Sequence, residues 1–346
     1  MLPIHYVLFL PPTVIGGYYV GRKIKNIFKI TKYKWLYWAL YWLLLFSLVL
    51  TLSTPIIAFV YSIALFLLFD FLFWIAKKNH FRKFETFIHL AYVRGLTVFV
   101  LAILFTAYGV YSAQNPILTH YNVFIHKEMK QNLKIILLSD LHLGTGTNQK
   151  TIDKIVQDVT DEKADIFLIA GDLYDERTSQ ELITYAIEHL GKAKTKYGTY
   201  YVEGNHDLLN PELTKQFHKN KIRTLQDEVL LIDNAFYLIG RKDKKHQRKS
   251  LSALTKQVHS AYPVILLDHR PEDETIAQKE KIDLQLAGHT HAGQLFPGNL
   301  FLKYGYYKKE DFHLIVSTGY GNWGTPVRTY TKNEMVEIKM KSLSKK

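Results

Sequence analysis

Residues 134–144 read Lys-Ile-Ile-Leu-Leu-Ser-Asp-Leu-His-Leu-Gly. A short apolar run of strand length stops abruptly at two side chains, Asp140 and His142, that can hold a metal or a proton. The same arrangement recurs four times downstream. Ile166–Ala170 leads into Gly171-Asp172-Leu173-Tyr174-Asp175, and Tyr200–Val202 leads into Gly204-Asn205-His206-Asp207. Val264–Leu267 leads into Asp268-His269-Arg270-Pro271, and Leu284–Ala287 into Gly288-His289-Thr290-His291. Between the first two runs, Ile152, Ile155, Val156 and Val159 keep the three-and-four spacing of a helix with one apolar face. Strands alternating with helices predict a layered α/β domain. In such a layer the strand carboxyl ends share one edge, where ligands bind, so clusters spread over about 150 residues can converge.

The donors in these clusters are oxygen and nitrogen only. The chain has no cysteine, which excludes disulfides, thiolate zinc sites, iron–sulfur clusters and a cysteine nucleophile. Asp, Asn and His together suit borderline to hard divalent ions, with Mn, Fe or Zn the first candidates. Seven such ligands are too many for one ion and suit two ions that share a carboxylate.

The 346 residues carry 44 Lys and Arg against 31 Asp and Glu. A net charge of +13 invites nucleic acid or an anionic surface as partner. Its distribution argues otherwise. Up to residue 115 there are eleven basic residues and two acidic ones, Asp70 and Glu85; beyond it the balance is 33 to 29. The later part therefore offers no strong field for tracking phosphates, and no nucleic-acid partner is expected.

The early part contains four apolar stretches, about 4–21, 35–52, 55–76 and 95–111. Each approaches the length that crosses ~30 Å of hydrocarbon at 1.5 Å per residue. In lipid such segments must be helices. An all-α transmembrane anchor is thus expected over 1–115, followed by a catalytic domain over 116–346, with Asn115-Pro116 as hinge. A cleaved leader fits poorly, because the charged region follows the first apolar stretch. Arg22, Lys23, Lys25, Lys29, Lys32 and Lys34 lie between the first two stretches, and Lys77, Lys78, Arg82, Lys83 and Arg94 between the last two. The Ser53-Thr54 turn carries no basic residue. The positive-inside rule puts both basic loops in the cytoplasm and everything after Tyr111 outside. This describes a multi-pass protein of the cell membrane. Asp70, inside the third stretch, is either a functional intramembrane carboxylate or an interfacial one that meets a basic loop.

The five blocks, in this order, resemble the calcineurin-like metallophosphoesterase superfamily, and within it a membrane-anchored bacterial, phosphodiesterase-like branch. The resemblance implies a β-sandwich flanked by helices and a dinuclear site. By it, Asp140, His142 and His291 hold the first ion, Asp172 bridges, and Asn205, His269 and His289 hold the second. His206 is then the outer histidine that contacts the phosphate and protonates the leaving oxygen, and Asp207 orients it. The implied reaction is attack of a metal-held hydroxide on the phosphorus of a phosphate ester, whether diester, monoester or pyrophosphate, lipid-linked substrates included.

Asp175 reads as a helix cap or loop carboxylate, and Asp268 either as a strand-end residue or as a support for a ligating histidine. The Gly-rich segment Ser317–Arg328 resembles the closing loop of that branch. Its Arg328 either pairs with a second anionic group on the substrate or is a loop arginine. Ala292 stands where the branch has the first of two glycines. The related branch that cleaves UDP-diacylglucosamine has Arg where this chain has His206, which disfavours that activity.

The basic run Arg241–Lys249 reads as a solvated loop or a contact for anionic head groups, with His246 at the surface. The Lys- and Ser-rich tail after Lys339 reads as solvated. Three competing readings are an inactive phosphoesterase fold serving as a membrane scaffold, a nuclease, and a transporter or sensor resting on Asp70 alone.

Overall fold

The computed structural model describes residues 4–27, 29–32, 34–51, 54–93, 96–176 and 178–343. Leu52, Ser53, Arg94 and Gly95, which enter the span and loop boundaries above, lie outside the described residues. The chain forms two compact units, Met1–Gly109 and Val110–Lys346.

The first unit is helical: α1 (Ile4–Ile27), α2 (Lys34–Thr51), α3 (Thr54–Lys78), α4 (Arg82–Val93) and α5 (Leu96–Gln114), the last running on into the second unit. Among the described residues, Thr54–Lys78 and Thr97–Gln114 are long and apolar enough to cross a membrane. The stretch around Arg82 and Lys83, expected as a loop, is the helix α4. Its Arg-Lys-Phe-Glu-Thr-Phe-Ile-His pattern alternates charge with apolar residues at helical spacing. Asp70 on α3 meets Lys23 of α1, whose ammonium lies 2.8 and 2.9 Å from the two carboxylate oxygens, and it also accepts from the Tyr19 hydroxyl. A cation and a hydroxyl thus compensate a carboxylate set in apolar surroundings.

In the second unit, β1 (Ile117–Ile125), β2 (Leu133–Leu138), β3 (Ile166–Ala170), β4 (Thr199–Val202) and β5 (Ile222–Thr224) join one sheet. The last strand, β12 (Glu334–Ser342), sits inside it, giving the order β1-β12-β2-β3-β4-β5. The second sheet runs β10-β11-β9-β8-β7-β6, with β6 (Glu228–Ile232), β7 (Phe236–Gly240), β8 (Val264–Leu267), β9 (Leu284–Ala287), β10 (Gly305–Lys309) and β11 (Phe312–Val316). Pairing is parallel through β2-β3-β4-β5 and through β7-β8-β9-β11, and antiparallel at β12-β2, β6-β7 and β10-β11.

The strands are apolar on both faces because both faces are covered. In β2, Ile135 and Leu137 turn into the core between the sheets, with Leu168, Leu267 and Leu286. Ile136 and Leu138 turn the other way, under α6 (Gln149–Asp161), α7 (Gln180–Leu190) and α8 (Pro211–Lys219). Helix α6 is the one its spacing predicts. Ile152, Ile155 and Val159 are fully buried, each worth roughly 1.5–3 kcal/mol. Asn148 caps its start, accepting from Thr151 N at 3.2 Å while the Thr151 hydroxyl accepts from Asn148 N. The short helices α9 (Leu251–Thr255) and α10 (Glu274–Lys279) contribute to the core on the outer face of the second sheet.

Two surface expectations are corrected. The tail after Lys339 continues β12 to Ser342, with Met340, Lys341 and Ser342 paired to Val123, Phe124 and Ile125. The basic run stays solvated at residues 244–247 and at Lys249, while its arginines enter an internal network. Arg241 reaches Asp268 and Asp273, and Arg248 reaches the same pair. The Lys245 ammonium donates to the carbonyls of Gly204 and Asp207 and pairs with Glu203 at 3.0 Å. His246 meets Glu203 as well, at 3.1 Å.

Candidate metal centre

The five predicted clusters sit at the carboxyl ends of β2, β3, β4, β8 and β9, and there the two sheets meet. Two contacts close the seam, those of His289 with Asp140 and of His269 with Ala170, and a third joins the ends of β3 and β4 within the first sheet. The amide of His289 donates to both oxygens of Asp140 at 3.0 Å, that of His206 donates to Oδ1 of Asp172 at 2.8 Å, and Nδ1 of His269 lies 2.7 Å from the Ala170 carbonyl.

The backbone is strained where ligands are presented. Asp140, His142, Asp172, His289 and His291 all have positive φ, between 44° and 72°. Non-glycine residues visit this region rarely and at a cost of about 1–2 kcal/mol each. Their concentration at one edge marks a site that the surrounding fold holds in place. The strained turns also direct amides across the loops: Asp140 N to Gly171 O at 3.0 Å and His142 N to Asp172 O at 3.1 Å. Gly171 is required twice over, by its φ of 81° and because a Cβ there would stand 2.7 Å from both Gly204 Cα and His269 Nδ1.

Asp140, His142 and His291 offer ligand atoms within 4.8 Å of one another, and so do Asp172, His269 and His289. In the first group, Nε2 of His142 faces Nε2 of His291 at 3.0 Å, and Nε2 of His291 stands 3.4 Å from Oδ1 of Asp140. In the second, Nε2 of His269 stands 3.2 Å from Oδ2 of Asp172 and 3.0 Å from Oδ1 of Asn205. Oδ2 of Asp172 is also 3.8 Å from Nε2 of His142, so it lies between the groups.

The electrostatics call for cations. Asp140 is fully buried, and burial raises its pKa, with Asp172 adding to the rise. Burial also opposes ionisation of Asp172, but the charge and hydrogen bond of His269 outweigh it and lower that carboxyl. Burial disfavours a charged His269, yet Asp172 and Asp140 lift it to about 10. His142 is raised against its burial by Asp175. His289 is pushed down to about 4 by burial, His269 and Arg270, and His291 is lowered by burial and by His142. His269 thus carries positive charge that the buried carboxylates demand, and His142 is shifted the same way. Facing nitrogens, an N/O donor set and buried anions fit two divalent cations.

His206 stands at the rim, part exposed, its ring 5.4 Å from that of His142 and 6.0 Å from that of Trp323. Its Nδ1 lies 3.5 Å from Glu176. Asp207 does not orient it, contrary to expectation. That carboxylate is buried beneath the loops and accepts from the amides of Asp172 (2.7 Å), Gly204 (2.8 Å) and Tyr174 (3.1 Å). Burial and the nearby Asp172 raise its pKa to about 6. The alternative left open for Arg328 resolves in favour of the loop: fully buried, it donates to the carbonyls of His291, Thr318 and Gly321 and to Thr331 Oγ1, out of substrate reach.

Asp268 supports Arg241 and Arg248 rather than a ligand side chain. The role of Asp175 was missed. Its Oδ1 lies 2.5 Å from Nδ1 of His142, and only its membership of the Gly-Asp-x-x-Asp block hinted at this. Arg270 was missed too. Anchored on Asp243 at 2.8 Å, it reaches 3.4 Å from Nε2 of His289, and nothing but adjacency to His269 could have flagged it.

The family described as calcineurin-like phosphoesterase matches residues 133–293. A Helicobacter pylori protein named an uncharacterized metallophosphoesterase is 32% identical over 227 residues, covering 62% of this chain and 61% of its own. A Danio rerio transmembrane protein with metallophosphoesterase domain is 31% identical over 274 residues, covering 70% of this chain and 62% of its own. The chain thus spans about three fifths of the length of these relatives. The solved structure of TT1561 from Thermus thermophilus aligns with 55% of this chain and 90% of its own, at 14% identity and a TM-score of 0.39.

Proposed function

Residues 133–293 are a calcineurin-like metallophosphoesterase domain, and from that premise we propose that the chain is a membrane-anchored, metal-dependent phosphoester hydrolase. The observation that carries the reading is the pair of Asp/His groups with Asp172 between them. Asp140, His142 and His291 would hold one divalent ion, Asn205, His269 and His289 the other, and Asp172 both. Such ions supply Lewis acidity toward phosphate oxygens and lower the pKa of water toward ~7.

The chain's own groups do the rest. Asp175 holds the proton of His142 on Nδ1, and the Ala170 carbonyl does so for His269, leaving each Nε2 free to ligate. Arg270 donates to Nε2 of His289, which leaves Nδ1 of that ring for an ion. As the oxygen of a hydroxide bonds to phosphorus and the ester P–O bond breaks, His206 gives the leaving oxygen a proton from Nε2, the nitrogen turned away from Glu176. Such general acid help is typically worth ~10²–10⁴-fold.

The anchor comprises residues 1–115 with α1, α2, α3 and α5 as its four spans, and the catalytic domain residues 116–346. Both basic stretches lie in the cytoplasm, α4 rests at that interface, and the catalytic domain is extracytoplasmic. The relative named a transmembrane protein and the two apolar helices support membrane association; the orientation rests on the basic stretches alone.

The test is hydrolysis of an aryl phosphodiester and an aryl phosphomonoester by the full chain with Mn²⁺, after chelation, and by His206→Asn. Activity that persists after chelation, or none with any divalent ion, defeats the proposal. Protease access to the catalytic domain in intact cells checks the orientation.

A further inference from the structure

Beyond the fifth ligand block, two loops turn apolar side chains into solvent. Phe296, Leu300, Phe301, Leu302, Trp323 and Tyr330 are all exposed, Phe301 to 81%. They form one laced surface. Gln294 holds the backbone of Trp323 at 2.9 and 3.1 Å and that of Thr325 at 2.8 Å. Phe296 N donates to Thr329 Oγ1 at 2.9 Å, and the rings of Phe296 and Tyr330 lie 6.2 Å apart. A soluble surface rarely gathers such residues without a partner, and Trp and Tyr belong where one side is apolar and the other wet.

The position of this surface in the unit says which partner. At one end, Trp323 flanks His206. At the other, the segment after Tyr330 holds the point where the chain enters the unit: Ser112 Oγ donates to Thr331 O at 3.3 Å, and Asn333 Nδ2 donates to Ala113 O at 2.9 Å. Ser112 and Ala113 form the last turn of the apolar helix Thr97–Gln114 and belong to the same compact unit as the loops. If that helix spans the membrane, its exit, the apolar surface and the mouth of the site follow one another along one continuous tract.

We infer that the surface formed by residues 296–302, Trp323 and Tyr330 docks on the bilayer, and that the site takes phosphate esters at the level of lipid head groups. The second clause rests on the phosphoesterase reading; the first does not. A soluble ester reaches such a site from the water, but a lipid substrate reaches it only where the rim meets the membrane.

The full chain in lipid nanodiscs tests both clauses. Its lack of cysteine allows single nitroxide labels at Phe301→Cys, Tyr330→Cys and, on the exposed face of α7, Glu188→Cys. Labels 301 and 330 should collide with oxygen in preference to a water-soluble nickel chelate, and label 188 should show the reverse. Labels 301 and 330 that behave like 188 overturn the docking surface. The double variant Leu300→Ser with Phe301→Ser should hydrolyse a head-group phosphodiester in vesicles about tenfold more slowly, while hydrolysing a soluble aryl phosphodiester at an unchanged rate. An equal fall for both esters, or no fall for either, overturns the substrate class. An unaltered chain that cleaves neither ester while its labels are immersed defeats the phosphoesterase reading and leaves the docking surface standing.

Discussion

Oδ1 of Asp175 lies 2.5 Å from Nδ1 of His142, while Nε2 of the same ring faces Nε2 of His291 at 3.0 Å. One ring is thus committed on one side to a carboxylate and on the other to the space between two groups of donors. Asp175→Asn should weaken metal binding by about 10–100-fold, because the ring loses the partner that fixes its tautomer and raises its basicity. A chelator-competition titration reads this directly. Unchanged affinity would show that the contact is incidental.

His206 and Asp207 are neighbours with opposite assignments. His206→Asn should lower kcat by ~10²–10⁴-fold with both ions retained. Asp207→Asn should instead lower the thermal midpoint, since an amide cannot accept from the amides of Asp172, Gly204 and Tyr174 as the carboxylate does. An Asp207→Asn variant of normal stability but with a displaced pH–rate profile would restore the orienting role.

Metal loading should release protons. In the metal-free site His269 titrates at about 10, lifted against its burial by Asp172 and Asp140, and His142 is raised likewise. His269 therefore holds its proton at pH 7 and must lose it to ligate, and the upward shift of His142 acts in the same direction. Affinity should rise with pH up to that range. Calorimetry in buffers of different ionisation enthalpy measures the count, and a value near zero would contradict the charge arrangement.

Ala292 carries φ 48° and ψ 33° while fully buried. Left-handed geometry costs an L-residue about 1–2 kcal/mol, partly offset by the extra freedom glycine has in the unfolded chain. Ala292→Gly should therefore stabilise the catalytic unit by ~0.5–1 kcal/mol and raise its thermal midpoint by ~1–4 °C. A lower midpoint would mean that the methyl group's packing outweighs the strain.

The central strands were legible because burial on both faces leaves an uninterrupted apolar run, as in Ile166–Ala170. Strand β12 was not. Glu334–Ser342 alternates charged with apolar residues, and a charge next to an apolar residue reads as solvent exposure when its partner is far away in sequence. Glu337 is buried because Lys134, about 200 residues earlier, lies 3.0 Å from it. The network of Arg241 and Arg248 was hidden in the same way. Helix α4 was masked by its basic start, which was read as loop charge. At the site, the ligand types were readable from their blocks, since each follows a strand end. Which carboxylate faces which ring is decided by left-handed turns at Asp140, His142 and Asp172, and composition does not reveal those.

The place of β12 bears on how the unit comes into being. It separates β1 from β2, strands that precede it by about 200 residues, and pairs with both. Until that segment leaves the ribosome, the first sheet is split and β1, tethered to the end of α5, has no neighbour. Completion of the first sheet therefore waits on one long-range pairing, the kind of contact whose loop-closure cost makes it slow to form.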